Sequence, residues 1–72
     1  MTDLRLTVGE RIRILRDRAG LTLRDLAERS GAHVSTIHGI EAGKTQARVH
    51  TLQAIAAALG VSVGSLIPAP EK

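Results

Sequence analysis

The sequence predicts an all-α fold, a compact bundle of five helices, on three observations. The 72 residues have room for one domain with a single small core, which we assign to residues 1–67, followed by a short C-terminal tail over residues 68–72. The chain is 43% hydrophobic without any aromatic residue, so Leu, Ile, Val and Ala must build the core, and these side chains pack well between helices. Apolar residues also recur at helical spacing between Thr, Ser and Gly residues that cap and end helices.

Capping boxes predict where the first two helices begin. In the segment TVGE, the Thr7 hydroxyl can accept the backbone N–H of Glu10 while the Glu10 carboxylate reaches back, so a helix should run from about Val8 to Ala19. The segment TLRD, which begins at Thr22, opens a second helix in the same way. Ser30-Gly31 ends that helix after barely two turns.

Three further helices are predicted along the rest of the chain. A third short helix should cover about His33–Ala42 and a fourth Thr51–Leu59, each closed by a glycine. Ser62 caps a fifth helix, which carries the apolar residues Val63, Leu66 and Ile67. Pro68-Ala69-Pro70 then ends helical structure, because proline cannot continue a helix.

The composition excludes several classes of function. The chain has no cysteine, which excludes disulfides, thiolate chemistry and cysteine-ligated zinc and suits a reducing cytoplasm. Four arginines lie between Arg11 and Arg18, where a signal peptide would need its apolar run. No 18-residue apolar stretch occurs either, so we predict a cytoplasmic protein that does not enter a membrane.

The charge balance favours an anionic partner. Ten basic residues stand against seven acidic ones, which gives a net charge of +3, and the pI is about 10.7. A solvated surface with a slight arginine bias explains this excess equally well, so charge alone leaves both interpretations open.

The order of the helices points to nucleic acid. Two short helices joined by a turn that contains glycine lie between a longer capped helix and a packing helix. This is the arrangement of a DNA-reading helix-turn-helix, for which geometry alone provides only a candidate.

Two stretches of sequence carry a more specific resemblance, GERIRILRDRAGLTLRDLAERSGAHVSTIHGIEAGK from Gly9 to Lys44 and TLQAIAAALGVSVGSLI from Thr51 to Ile67. Over Val8 to Ile67 the chain resembles the Cro and phage-repressor type of helix-turn-helix domain, also called the xenobiotic-response-element family. The resemblance implies sequence-specific binding of double-stranded DNA by a transcriptional regulator, with a repressor as the leading interpretation. Restriction-modification controllers, phage repressors and antitoxins all share this pattern.

The resemblance also implies that residues 33–42 form the recognition helix, which enters the major groove. At about 100° per residue, Ile37 and Ile40 share an inward face, and the small or polar residues of this helix point outward. The predicted base contacts are His33, Val34, Ser35, His38 and Gly39. The simpler alternatives remain that His33 only begins the helix, that Val34 flanks the core and that His38 is merely solvated.

Phosphate contacts are expected from helix N-termini and basic groups. Thr22 caps the second helix, and the loop after the recognition helix provides the remaining candidates, Lys44, Thr45, Gln46 and Arg48. The chain departs from the family at Leu23, where a glutamine usually binds phosphate and braces the recognition helix, and at Ala47, where the family commonly has proline. Leu23, Gly39 and Ala42 support the alternative function, a protein-interaction or antitoxin-type module on the same fold with weak DNA binding.

The remaining predictions concern bracing and assembly. Arg16 and Glu41 match a family pair in which an arginine of the first helix meets the glutamate that ends the recognition helix. Apolar residues near the C-terminus exceed what a short fifth helix can bury, which predicts a dimer interface made by Val61, Val63, Leu66 and Ile67. The resemblance likewise implies a homodimer on a near-palindromic operator, with recognition helices about 34 Å apart.

Metal and catalytic sites are not predicted. His33 and His38 are separated by about 140° around a helix, and His50 belongs to another element. No Ser, His and Asp stand in an order that suggests nucleophilic catalysis. We therefore expect a protein that is not an enzyme and has no metal, cofactor or small-molecule substrate.

Overall fold

A computed structural model describes residues 6–67, and no strand occurs in that range. The elements are α1 (Val8–Arg18), α2 (Leu23–Ser30), α3 (Val34–Glu41), α4 (Val49–Leu59) and a single 3-10 turn (Val63–Ser65). The predicted all-α class is therefore confirmed. Residues 1–5 and the predicted tail over residues 68–72 lie outside the described range. No helix within residues 6–67 has the length and apolar character needed to cross a bilayer.

The predicted fifth helix is wrong. Residues Val63–Ser65 form one 3-10 turn, which closes where the N–H of Leu66 donates to the Val63 carbonyl at 2.9 Å. Gly64 and the β-branched Val63 have low helix propensity, and the residue before Pro68 is biased away from the α conformation. Too few residues are therefore available for a helix to nucleate and propagate here.

Helix boundaries elsewhere differ by one or two residues. The fourth helix begins at Val49 instead of Thr51, with Arg48 as its N-cap. His33 is the N-cap of α3 and not its first helical residue. Both predicted capping boxes are present, since Thr7 exchanges hydrogen bonds with Glu10 and Thr22 does so with Asp25.

The core is aliphatic, and each of the five elements contributes one fully buried side chain. For the 3-10 turn this is the residue that directly follows it. These residues are Ile12, Leu26, Ile37, Ile55 and Leu66. The helix α2 packs against α3 and α4, and α1 packs against α3. Complete burial of each such side chain stabilises the fold by about 2 kcal/mol, so the short helices depend on this shared core.

A close approach between two helices lies at Gly9, in the first turn of α1. A Cβ atom built on Gly9 would overlap the carbonyl oxygen of Ile40 and would lie 3.0 Å from the Cα of Glu41. Gly9 is buried as a result. The absence of a side chain therefore lets α1 touch the backbone of α3 at the C-terminal end of that helix.

We expect Gly9→Ala to destabilise the protein by about 3 kcal/mol, because the new methyl group would force α1 away from α3. Alanine is otherwise a better helix former than glycine by about 1 kcal/mol, so a stabilising effect would contradict the close approach. The measurement is urea unfolding. Gly64→Ala is the control, since its methyl group would meet only the Ser62 hydroxyl oxygen at 3.8 Å.

Candidate nucleic-acid interface

The turn between α2 and α3 sets the direction of the third helix. Gly31 ends α2 in the left-handed conformation with φ of 81°, and its N–H donates to the Ala27 carbonyl at 2.9 Å. The Ser30 hydroxyl then accepts the N–H of Ala32 at 3.2 Å. A glycine adopts this conformation without steric cost, which explains why the sequence has one here.

The two faces of α3 differ as helical geometry requires. Ile37 and Ile40 are buried in the core at 0% and 3% exposure. The opposite face is open to solvent and consists of Val34, Ser35, His38 and Ala42. Because three of these four side chains are small, the backbone of α3 can come close to a partner.

Gly39 contributes to this face in a way that the sequence did not indicate. It is half-buried, and a Cβ atom added to it would lie 2.8 Å from the Thr45 hydroxyl oxygen. Its carbonyl accepts the N–H of Lys44 at 2.9 Å and that of Thr45 at 3.2 Å. The loop after α3 is therefore folded against the helix at Gly39, and Thr45 occupies the space beside it.

The predicted base contact His33 lies at the exposed N-terminal end of α3. The His33 side chain forms no capping hydrogen bond, so it does not stabilise the start of α3 in this way. A role for this side chain therefore requires contact with a partner. His50 lies on α4, a separate element as predicted, and lines the same cleft as His33 between the starts of α3 and α4. Within residues 6–67, no group of three or more His, Cys, Asp or Glu residues is placed to hold a metal ion.

A bidentate ion pair connects α1 to the end of α3. Arg16 donates from Nε to Oε2 of Glu41 at 2.8 Å and from Nη2 to Oε1 at 3.1 Å. The side chains are only 12% and 7% exposed. Hydrogen bonding to Glu41 raises the pKa of the Arg16 guanidinium above its usual value despite the opposing effect of burial. Nη1 also donates to the Leu21 carbonyl at 2.8 Å, so one side chain joins α1, the α1–α2 turn and α3.

The predicted phosphate-binding residues lie at exposed positions on two elements. Thr22 already accepts the N–H of Asp25 with its hydroxyl, and its own N–H donates to the Asp25 carboxylate at 2.9 Å. Hydrogen bonding to Thr22, first of all to its backbone N–H, lowers the pKa of the Asp25 carboxyl group. The hydroxyl proton is thus the group that Thr22 retains for a phosphate. The loop candidates Lys44, Thr45, Gln46 and Arg48 are all exposed.

Sequence reasoning missed Arg13 as a member of this surface. Arg13 lines one shallow pocket together with Leu23 and His38, so residues of α1, α2 and α3 meet there. It also missed Gly9, for which the signal was a glycine inside a predicted helix, where glycine costs about 1 kcal/mol relative to alanine and so indicates a packing reason. The grouping around Arg13 had no comparable signal, because it arises only from the packing of three helices.

The predicted dimer interface requires a correction at Leu66. This residue is fully buried in the core of its own subunit, because the 3-10 turn directs it under the helices. Val61 and Val63 are half-buried and pack against the same core. Only Ile67 of the predicted set is a large exposed apolar side chain, at 47% exposure.

Comparison with known proteins gives consistent matches. Residues 7–68 match the profile of a protein family described as "Helix-turn-helix domain". The HTH-type transcriptional regulator PuuR of Escherichia coli K12 is 36% identical over 72 residues, which is all of this chain and 39% of PuuR. The chain therefore spans well under half the length of this curated relative.

Two solved structures extend the comparison to the fold. The restriction-modification controller protein C.AhdI from Aeromonas hydrophila superposes with a TM-score of 0.82 and 32% identity, over 83% of this chain and 91% of C.AhdI. The biofilm master regulator SinR, known from Bacillus subtilis, was solved in complex with DNA. It superposes with a TM-score of 0.78 and 34% identity, over 83% of this chain and 97% of that one.

We expect Arg16→Met to destabilise the protein by about 3 kcal/mol, because it leaves the nearly buried Glu41 carboxylate without its partner. The double variant Arg16→Met/Glu41→Leu should recover part of this loss, since no unpaired charge remains. Urea unfolding measures both. The matched control is Arg18→Met, which changes an exposed arginine of the same helix. A stability for Arg16→Met equal to that of Arg18→Met would show that the pair is energetically a surface contact.

Proposed function

This chain belongs to the helix-turn-helix domain family, and we propose that it is a transcriptional regulator, a repressor, that binds double-stranded DNA with α3 in the major groove. The observation that carries the proposal is the outward face of α3, which is exposed and lined mainly by small side chains. A regulator of this kind acts where the DNA lies, so the proposal includes a cytoplasmic location.

The dimensions of α3 support this docking. An α-helix with its side chains is about 10–12 Å in diameter, which fits the width of the major groove of about 12 Å, and small outward side chains keep α3 at the narrow end of this range. Val34 can contact a thymine methyl group, and Ser35 can form one hydrogen bond with a base edge. His33 can donate to a purine acceptor. None of these side chains makes a bidentate contact of the kind that discriminates strongly between bases. Direct readout therefore covers few base pairs and tolerates base changes at them.

Contacts to the backbone then provide most of the affinity. Lys44 and Arg48 are exposed beside α3, and Thr22 lies at the start of α2. Such contacts release counterions from DNA, so affinity falls steeply with salt. Specific binding should exceed binding to random DNA by a ratio near the lower end of the usual range, about 10³. The remaining specificity comes from DNA shape and half-site spacing.

We further propose a two-fold homodimer on a near-palindromic operator. The exposed Ile67 follows the half-buried Val61 and Val63 within a few residues of the chain, and burial of this segment against a second copy would remove apolar surface from water. Leu66 has no part in this interface because its own subunit already buries it.

The recognition surface is tested by Ser35→Glu, which we expect to weaken DNA binding by about a hundredfold or more. A carboxylate at this position would meet the negative potential of the groove, and like-charge contacts of this kind cost several kcal/mol. Operator sequences are first selected from a randomised duplex pool, and affinity is then measured by fluorescence anisotropy over a salt titration. The control is Ala57→Glu, an equal charge change at an exposed position near the end of α4. Equal affinity of the two variants would contradict the proposal and favour a protein-interaction module.

Assembly is tested by Ile67→Asp. Analytical ultracentrifugation at micromolar concentration should find the unchanged protein as a dimer and the variant as a monomer, because a charge would replace the exposed apolar side chain. Val49→Asp serves as the control, since Val49 is another large exposed apolar residue, at 69% exposure, but lies at the start of α4. A monomer of the unchanged protein both with and without DNA would contradict the homodimer.

A further inference from the structure

Leu23 occupies the position where the family usually holds a phosphate with glutamine, and the structure shows what surrounds it. Leu23 is half-buried and lines a shallow pocket of about 270 Å³. Arg13 and Arg16 of α1 form one side of the pocket, and His38, Glu41 and Ala42 of α3 form the other. We propose that this pocket binds a phosphate of the DNA backbone through Arg13 and His38, in place of the missing glutamine. This inference rests on the proposed function and names a contact within it.

The charges in the pocket leave two groups for an anion. Arg16 and Glu41 neutralise each other, since both carboxylate oxygens of Glu41 accept hydrogen bonds from the Arg16 guanidinium. Arg13 and His38 form no ion pair with any residue of the range 6–67. The pocket therefore presents one guanidinium and one imidazole to solvent while its only carboxylate is already occupied.

The positions of the two groups follow from helical spacing. Arg13 precedes Arg16 by three residues on α1, and His38 precedes Glu41 by three on α3, so each basic group lies one turn from the ion pair on the same side of its helix. The ion pair fixes the separation of α1 and α3 and thereby holds Arg13 and His38 across Leu23 from each other.

The pocket also has suitable room and access. Its volume of about 270 Å³ leaves room for a phosphate group with part of its hydration. Ala42 contributes only a methyl group at the exposed edge, which keeps the pocket open toward the outward face of α3. A DNA backbone that passes this face therefore reaches both basic groups.

A histidine in the site makes phosphate binding depend on pH. The charged groups that line the pocket with His38 are Arg13 and Arg16 from α1 and Glu41 from α3, and α2 contributes only the uncharged Leu23. Phosphate binding favours the protonated imidazole, which carries a positive charge and donates hydrogen bonds from both ring nitrogens. The contact of His38 is thus stronger at pH 6 than at pH 8.

The first test compares Arg13→Gln with Arg18→Gln in anisotropy titrations with duplex DNA. Removal of one phosphate contact should weaken binding about fivefold to tenfold at 0.1 M salt and reduce the slope of log affinity against log salt by about 1. Arg18 is an equally exposed arginine of α1 that lines a different cleft beside Leu6 and Ser65, so its removal should change affinity by less than about twofold. Equal effects of the two variants would overturn the proposal.

The second test concerns His38. The affinity ratio between the unchanged protein and His38→Gln should increase as the pH falls from 8 to 6, and the same ratio at both pH values would overturn the role of His38. Because the comparison is a ratio, the effects of pH on the rest of the protein and on the DNA cancel from it. Arg13 and His38 are exposed, so thermal unfolding should find every variant folded at the temperature of the titrations.

The third test is a rescue. Leu23→Gln should restore most of the affinity lost in Arg13→Gln, because the amide of glutamine reaches the same phosphate, whereas it should add little to the unchanged protein. The phosphate site is overturned if Arg13→Gln loses no more affinity than Arg18→Gln and if Leu23→Gln restores none of it. The proposed function is tested separately, since normal DNA binding by Ser35→Glu would contradict it.

Discussion

The bidentate contact between Arg16 and Glu41 is the interaction on which the proposed DNA-binding surface depends. A helix of eight residues is marginal by itself in water, so the orientation of α3 must come from the elements around it. Arg16 holds the last residue of α3 and, with its remaining nitrogen, the Leu21 carbonyl of the preceding turn. At the other end of α1, Gly9 lets the two backbones touch beside Ile40. Both contacts hold the C-terminal end of α3 against α1, and the buried side chains of Ile37 and Ile40 orient the rest of the helix.

A surface of small side chains needs this kind of support. Long polar residues can adjust to a base that is slightly out of place, but Val34, Ser35 and Ala42 cannot. Their contacts depend on the position of the backbone itself, which the buried ion pair and the aliphatic core determine. The same constraint places Arg13 and His38 on the two sides of Leu23, so a structural contact in the interior organises basic groups at the surface.

Local sequence signals predicted most of the fold, and long-range contacts account for the rest. The capping boxes at Thr7 and Thr22 identified two helix starts because their hydrogen bonds span only three residues. The extra helix after Ser62 was predicted from a capping serine and apolar residues, and these signals cannot distinguish a helix from one 3-10 turn that buries Leu66. In the candidate site, the outward face of α3 followed from periodicity, whereas Arg16 with Glu41 required a family resemblance. The packing at Gly9 and the pocket at Leu23 depend on neighbours distant in sequence.

The contact between Gly39 and Thr45 has a consequence for how the specificity of this protein can evolve. A side chain at position 39 would be well placed on α3 to read a further base pair, but the Thr45 hydroxyl lies 2.8 Å from where its first carbon would be. The two positions are therefore coupled. A longer residue at position 39 requires the Thr45 side chain to move aside, and a smaller residue at position 45 removes that requirement. The residue at position 45 thus influences how easily the outward face of α3 can change.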